Sequence, residues 1–147
     1  MAKPRIRSYR PAVVATIKNA TDEELAKFAF QIEAQTKVNI QRNNQIDTGF
    51  MLNSVYTVAA AGGSTYPATQ PTGNYTSRAT GRNAKRKRAR QRGIPGKSSA
   101  IVAVGAEYAV YQEIKKPFLY PAATQTLAGR AGVELTSNIK KKVRDAA

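Results

Sequence analysis

The chain contains no cysteine and no histidine. The first absence excludes disulfides, thiolate metal sites and cysteine nucleophiles. The second removes the side chain that most often serves as general base at neutral pH, and the commonest zinc ligand. Acidic residues are scarce as well. There are nine Asp and Glu in 147 residues, scattered singly apart from Asp22-Glu23-Glu24. Asp47, Glu107 and Glu113 show no spacing that would make a carboxylate site, so each is expected to be structural. With this inventory no catalysis, cofactor or metal is expected. No run approaches the roughly 18 to 20 apolar residues of a membrane helix. The start, MAKPRIRSYRP, is basic with no apolar stretch behind it, unlike a secretory signal.

What is abundant is positive charge. Twenty-four Lys and Arg give a formal net charge of +15. Such a chain is expected to meet something anionic, or to sit among acidic neighbours. Nine of the cations lie in one segment: Arg78, Arg82, Lys85, Arg86, Lys87, Arg88, Arg90, Arg92 and Lys97, with no acid among them. They form the second half of a long stretch, residues 62–97, without hydrophobic periodicity; its first half is rich in Gly, Pro, Ser and Thr. Loops of this length in a compact domain are functional or disordered. Clustered cations neutralise phosphates and release counterions without reading sequence. No aromatic is interleaved in the cluster, although Tyr66 and Tyr75 precede it, so a single-strand stacking platform is not indicated. Contact with DNA and contact with an acidic protein surface both stay open. Gly96-Lys97-Ser98 lacks the glycine five residues earlier that a phosphate-binding loop needs, since position 91 is Gln91.

The periodicities predict a single α+β domain over 1–147: a short antiparallel sheet packed by a long helix in the N-terminal half and by a C-terminal helix. Residues 1–10 read as a basic arm, and Pro11 to about Asn19 as a short separate helix. Thr21 to about Asn43 reads as the main helix. Thr21-x-x-Glu24 has the form of a capping box, and Leu25, Phe28, Ala29, Ile32, Thr36 and Ile40 recur at three- and four-residue steps. Asn43-Asn44 is a helix stop. Phe50 to Ala60 reads as a strand, with a helical turn near Leu52 to Val55 as the competing period. Ile101 to Val104 and Tyr108 to Glu113 read as two strands of a hairpin, broken by Lys115-Lys116-Pro117. Pro121 opens a last helix to Ala147, with Leu127, Ala131, Leu135, Ile139 and Val143 as its apolar row and Gly129 and Gly132 weakening its middle.

Three of these segments, in order, resemble a known family. Asp47-Thr48-Gly49-Phe50-Met51-Leu52-Asn53-Ser54-Val55 is similar to a "Thr-Gly-x-Leu-x-x-Ser-Ile" signature, with Met51 in place of leucine and Val55 in place of isoleucine. Tyr108-Ala109-Val110-Tyr111-Gln112-Glu113 and Pro117-Phe118-Leu119-Tyr120-Pro121-Ala122 resemble its "Tyr-Ala-x-Tyr-x-Glu" and "Pro-Phe-Leu-x-Pro-Ala" segments. The family is that of small tail-component, or neck, proteins of long-tailed bacteriophages. The resemblance covers roughly residues 20 to 140 apart from the basic loop. It departs at the family's Gly-Thr turn, where this chain has Ile114-Lys115-Lys116.

The resemblance implies a virion structural protein made in the host cytoplasm, a head–tail joining or tail-completion component that forms a homo-oligomeric ring around the DNA channel, a hexamer or else a dodecamer. It implies connector, stopper or tail-terminator neighbours and nonspecific contact with genomic DNA. It also marks Thr48, Gly49, Ser54, Tyr108, Ala109, Tyr111, Glu113, Pro117, Phe118 and Pro121 as motif and assembly positions. Apolar surface on the first helix and the Tyr108–Phe118 hairpin are the expected subunit contacts. The alternative is a free, sequence-nonspecific nucleic-acid-binding protein of ribosome- or nucleoid-associated type, which accounts for the charge but not for the three motifs.

Overall fold

A computed structural model describes residues 10–46, 49–61, 63–64, 76, 80–82, 98–128 and 132–145. The basic arm at 1–9, Asp47, Thr48 and eight of the nine loop cations lie outside the described residues.

The fold is α+β and is organised on one helix. α1 runs unbroken from Arg10 to Arg42, about 50 Å at 1.5 Å per residue. The expected break near Asn19 does not occur, and Thr21-x-x-Glu24 is not a capping box. The Thr21 hydroxyl donates to the Ile17 carbonyl one turn back at 2.8 Å. Lys18 pairs with Asp22 across the same turn at 2.6 Å. Both bonds lie within a continuous helix, and no glycine or proline follows Pro11, which sits in the first turn where a missing N–H costs nothing.

The helix ends where Asn43-Asn44 predicts. Asn44 takes a left-handed φ of 53°. Gln45 N–H donates to the Ile40 carbonyl at 3.1 Å and Asn44 N–H to Gln41 at 3.0 Å. This pair of bonds satisfies the last carbonyls of the helix in a Schellman motif, with asparagine supplying the αL residue.

Within 50–60 the two competing periods are both present, one after the other. α2 spans Phe50–Asn53 and β1 spans Val55–Ala59. β1 is the centre of a three-stranded antiparallel sheet, with β2 (Gly63–Ser64) on one side and β3 (Ala100–Val104) on the other. Val55 faces Val104 and Ala59 faces Ala100. Tyr56 and Thr57 are fully buried, and the Thr57 hydroxyl reaches the Ala29 carbonyl of α1. The sheet therefore lies against the middle of α1.

The second strand of the expected 101–113 hairpin is instead a helix, α3, from Ala109 to Lys115. β3 pairs with β1, not with a neighbour in sequence. In 108–113 neither alternating face is consistently apolar, so period two is not enforced. A helical turn buries Ala109, half-buries Gln112 and Glu113 and exposes Val110, Tyr111 and Ile114. Lys115-Lys116-Pro117 ends this helix rather than a strand: Lys116 is extended (φ −142°, ψ 94°), as the residue before a proline is driven to be.

α4 runs Leu119–Thr126, so Pro121 is its third residue rather than its first. α5 runs Gly132–Asp145. The described residues of the expected C-terminal helix thus fall in α4 and α5; residues 129–131, with Gly129 and Ala131, lie outside the described residues. The central core gathers Ile40, Phe50, Met51, Val55, Ala106, Ala109 and Phe118, at the C-terminal end of α1.

Candidate functional site

The three motif segments meet at that same end of α1. Gly49 sits at φ 75°, a left-handed conformation that glycine adopts without strain, and it turns the chain into α2. Ser54 is wholly buried; its hydroxyl donates to the Met51 carbonyl at 2.8 Å and accepts the Ala106 N–H at 3.1 Å. The Gly105 N–H adds a bond to the Ser54 carbonyl at 2.9 Å. One serine thus joins the first motif to the residues leading into the second. Phe50 and Tyr108 lie ring to ring, 6.5 Å between centroids.

Glu113 joins the second motif to the third. Its carboxylate accepts the backbone N–H groups of Phe118 (2.9 Å), Leu119 (3.0 Å) and Tyr120 (2.9 Å). These are orphan donors at the start of α4, where a negative charge also meets the positive end of the helix dipole. Glu113 is therefore structural, as its isolation in the sequence implies.

Sequence reasoning missed the polar residues that hold this unit to α1. The Asn39 amide donates to the Phe118 carbonyl at 2.9 Å and the Asn43 amide to the Pro117 carbonyl at 3.1 Å. The Gln45 amide donates to the carbonyls of Gln112 (3.2 Å) and Lys116 (3.0 Å). The signal was present as five amide side chains from 39 to 45 (Asn39, Gln41, Asn43, Asn44 and Gln45), although such residues commonly only mark a helix end.

Outward, the unit carries an apolar stripe beside the exposed Lys115 and Lys116. Val110, Tyr111, Ile114 and Tyr120 are each 66% or more exposed. Ala109 and Phe118 are buried, Tyr108 and Pro121 half-buried and Pro117 exposed. Of the cations expected to touch DNA or an acidic partner, Arg82 alone lies among the described residues; it is exposed, and its N–H approaches the Thr80 hydroxyl at 3.4 Å. Arg78, Lys85, Arg86, Lys87, Arg88, Arg90, Arg92 and Lys97 lie outside them.

The acidic run at 22–24 has a structural use. Glu24, 2% exposed, accepts Lys27 at 2.7 Å, the Asn138 amide at 2.9 Å and Lys142 at 3.4 Å. Lys142 also pairs with Glu23. These bonds dock α5 on α1. Burial pushes the Glu24 carboxyl up, but the bonds from Lys27, Asn138 and Lys142 outweigh it and hold it below its ordinary 4.5. The Lys18 ammonium, and next the Ser98 hydroxyl, hold Asp22 below 3.8. Glu23 above all raises Lys142 over 10.5.

A depressed carboxyl contributes stability above its unfolded pKa, and the contribution fades as pH falls through the folded value. A raised lysine contributes below 10.5, and the contribution fades as pH rises through its folded value. Thermal unfolding is therefore expected to be flat across neutral pH, to fall as pH drops below about 4.5 and to fall again above about 10.5. Glu24→Gln is expected to flatten the acid limb. An unchanged acid limb in that variant, followed by circular dichroism, would show that the anchor lies elsewhere.

Among the described residues no group of His, Cys, Asp and Glu is placed to hold a metal ion, and no helix is long and apolar enough to cross a membrane. Comparison with protein families, curated proteins and solved structures finds no match to this chain.

Proposed function

We propose that this chain is a structural protein of a long-tailed bacteriophage neck, assembling as a ring that joins or completes the head–tail connection around the DNA channel, without catalysis. The observation that carries this reading is the convergence of the three motif segments. Residues scattered over 49–121 form one bonded unit through Ser54, Glu113, Asn39, Asn43 and Gln45. A chance likeness of three short strings gives no reason for them to meet. Several of the unit's polar groups hold it together, and its outer face carries an exposed apolar stripe of Val110, Tyr111, Ile114 and Tyr120. That is the composition of a surface made to meet protein rather than substrate. In a ring around DNA the cationic loop has an evident use, either along the channel or against an acidic neighbouring ring.

A second reading rests on the charge alone: a free nucleic-acid-binding protein carrying nine cations in one loop. Deleting residues 81–97 separates the two. A neck protein without the loop keeps its helical fold and still enters particles. A free binding protein loses essentially all nucleic-acid affinity, and with it most of a log–log salt slope that reaches about −8 for nine phosphate contacts, since the deletion removes all of those cations but Arg78. Retention of both fold and particle incorporation favours the neck; failure of a well-folded deletion variant to enter particles, together with that loss of affinity, favours the binding protein.

A further inference from the structure

Among the described residues, two apolar stripes stand exposed on helices, and they carry the same spacing. On α1, Val13, Val14 and Ile17 stand 43%, 57% and 41% exposed. On α3, Val110, Tyr111 and Ile114 stand 66%, 70% and 76% exposed. Each set is i, i+1, i+4, which places three side chains on one side of a helix. Tyr120 at the start of α4 extends the second stripe, since the carboxylate of Glu113 on α3 binds its N–H.

The first ten residues of α1 form an overhang. Residues 10–15 and 17–19 are exposed, and burial begins at Ala20, near the α5 anchor at Glu24. The side-chain bonds here stay within α1 itself: Thr16 to the Ala12 carbonyl, Lys18 to Asp22, and Thr21 to the Ile17 carbonyl. As the end of a longer helix the overhang is held by bonds within that helix, and helical stability in proteins comes mostly from packing of an apolar face.

The two stripes cannot meet within one molecule. α3 is tied to the far end of α1 through Gln45 and through Lys116, which bonds the Asn43 carbonyl. Ile17 lies 26 residues before Asn43, about 40 Å along the helix. A contact between unlike surfaces at opposite ends of a subunit is head-to-tail, and such contacts close into rings or run on as filaments.

We propose that the overhang of α1 docks, through Val13, Val14 and Ile17, onto the Val110–Tyr111–Ile114 stripe of a second copy of this chain. The inference deepens the ring reading above and rests on it only for closure. A second copy is the occupant because the chain supplies both halves of the contact. Phosphate or a carboxylate-rich surface finds nothing to bind on valine and isoleucine. The area fits as well: covering the exposed parts of these side chains removes on the order of 700 Å² over both copies, about half of a standard interface. One such contact does not hold an isolated pair, whereas in a closed ring every subunit makes two. Like-charge repulsion between copies at +15 weakens the pair further at low salt.

The absence of cysteine makes the test clean. Ile17→Cys and Ile114→Cys are prepared as separate proteins and as a double variant, all nuclease-treated, and captured with a flexible bismaleimide. Both sites are exposed, so the native helical content seen by circular dichroism confirms the fold before capture. Mixing the two single variants is expected to give 17–114 dimers in about tenfold excess over like pairs. The double variant is expected to give a ladder ending at a closed oligomer, and yields are expected to rise with added salt. Like pairs equalling mixed pairs would make the contact symmetric and overturn the proposal. No capture at high protein concentration would show that something other than a second copy covers the stripes. Yields falling with salt would indicate bridging by a polyanion. Each of these outcomes is read on purified protein, so it stands apart from whether the chain occurs in a virion.

Discussion

Replacing Phe118 with alanine is expected to lower the free energy of unfolding by about 3–5 kcal/mol. Phe118 is 1% exposed and sits among Ile40, Phe50, Met51, Val55, Ala106 and Ala109. These neighbours come from α1, α2, β1, the turn after β3 and α3, so no single element can move inward to fill the space. The backbone of Phe118 is pinned as well, its N–H on Glu113 and its carbonyl on Asn39. Relaxation is thereby limited, and the cost falls toward the upper end of the range for large-to-small core changes. Denaturant unfolding would read this as a lower midpoint at unchanged slope. Tyr120→Ala is the control: Tyr120 is 70% exposed, and its truncation is expected to stay within about 0.5 kcal/mol. Equal losses in the two variants would contradict the core assignment.

Glu113→Ala is expected to cost about 2 kcal/mol, from three charge-assisted bonds lost at once and moderated by water reaching a half-exposed site. Phe118, Leu119 and Tyr120 would then have no acceptor for their N–H groups at the start of α4. Glu113→Gln keeps an oxygen but loses the charge that faces the helix dipole, so roughly half the loss is expected. Amide exchange at 118–120 is the specific readout. It should quicken in both variants while β1 amides keep their protection, because Glu113 bonds to the start of α4 and not to the sheet. Uniform quickening would mean that Glu113 acts on global stability and not as the start of α4.

Much of this architecture was legible in the residues. The 29, 32, 36, 40 stripe of α1, the Asn43-Asn44 stop, the β-branched run at 101–104 and the α+β class all follow from periodicity and local backbone preference. Two elements were not legible, for different reasons. Thr21-x-x-Glu24 has the chemistry of a cap, yet both side chains are engaged elsewhere: Thr21 one turn back, and Glu24 on α5, 114 residues along the chain, where no local window of sequence reaches its partner. Residues 108–113 have no consistently apolar alternating face, and Glu113 accepts the N–H groups of Phe118, Leu119 and Tyr120 with the segment coiled. Those donors are near in sequence, but backbone N–H groups carry no residue-type signal. At the candidate site, the motif residues Gly49, Ser54, Tyr108, Ala109, Glu113, Pro117, Phe118 and Pro121 do fall together. Their anchors Asn39, Asn43 and Gln45 stand in an amide-rich run, but nothing local tells an anchoring amide from one that marks a helix end. Tyr111 differs from the other motif residues: at 70% exposed it belongs to the outward stripe.

The neck assignment is tested most directly on particles. Virions of the encoding phage would be purified, this chain quantified against the portal protein, and the head–tail junction imaged by cryo-electron microscopy. The account predicts a ring-like stoichiometry, six or twelve copies in the proposed assembly, with density at the junction into which α1 and the sheet can be placed and the cationic loop turned toward the channel or the adjoining ring. Absence of the chain from intact virions would contradict it.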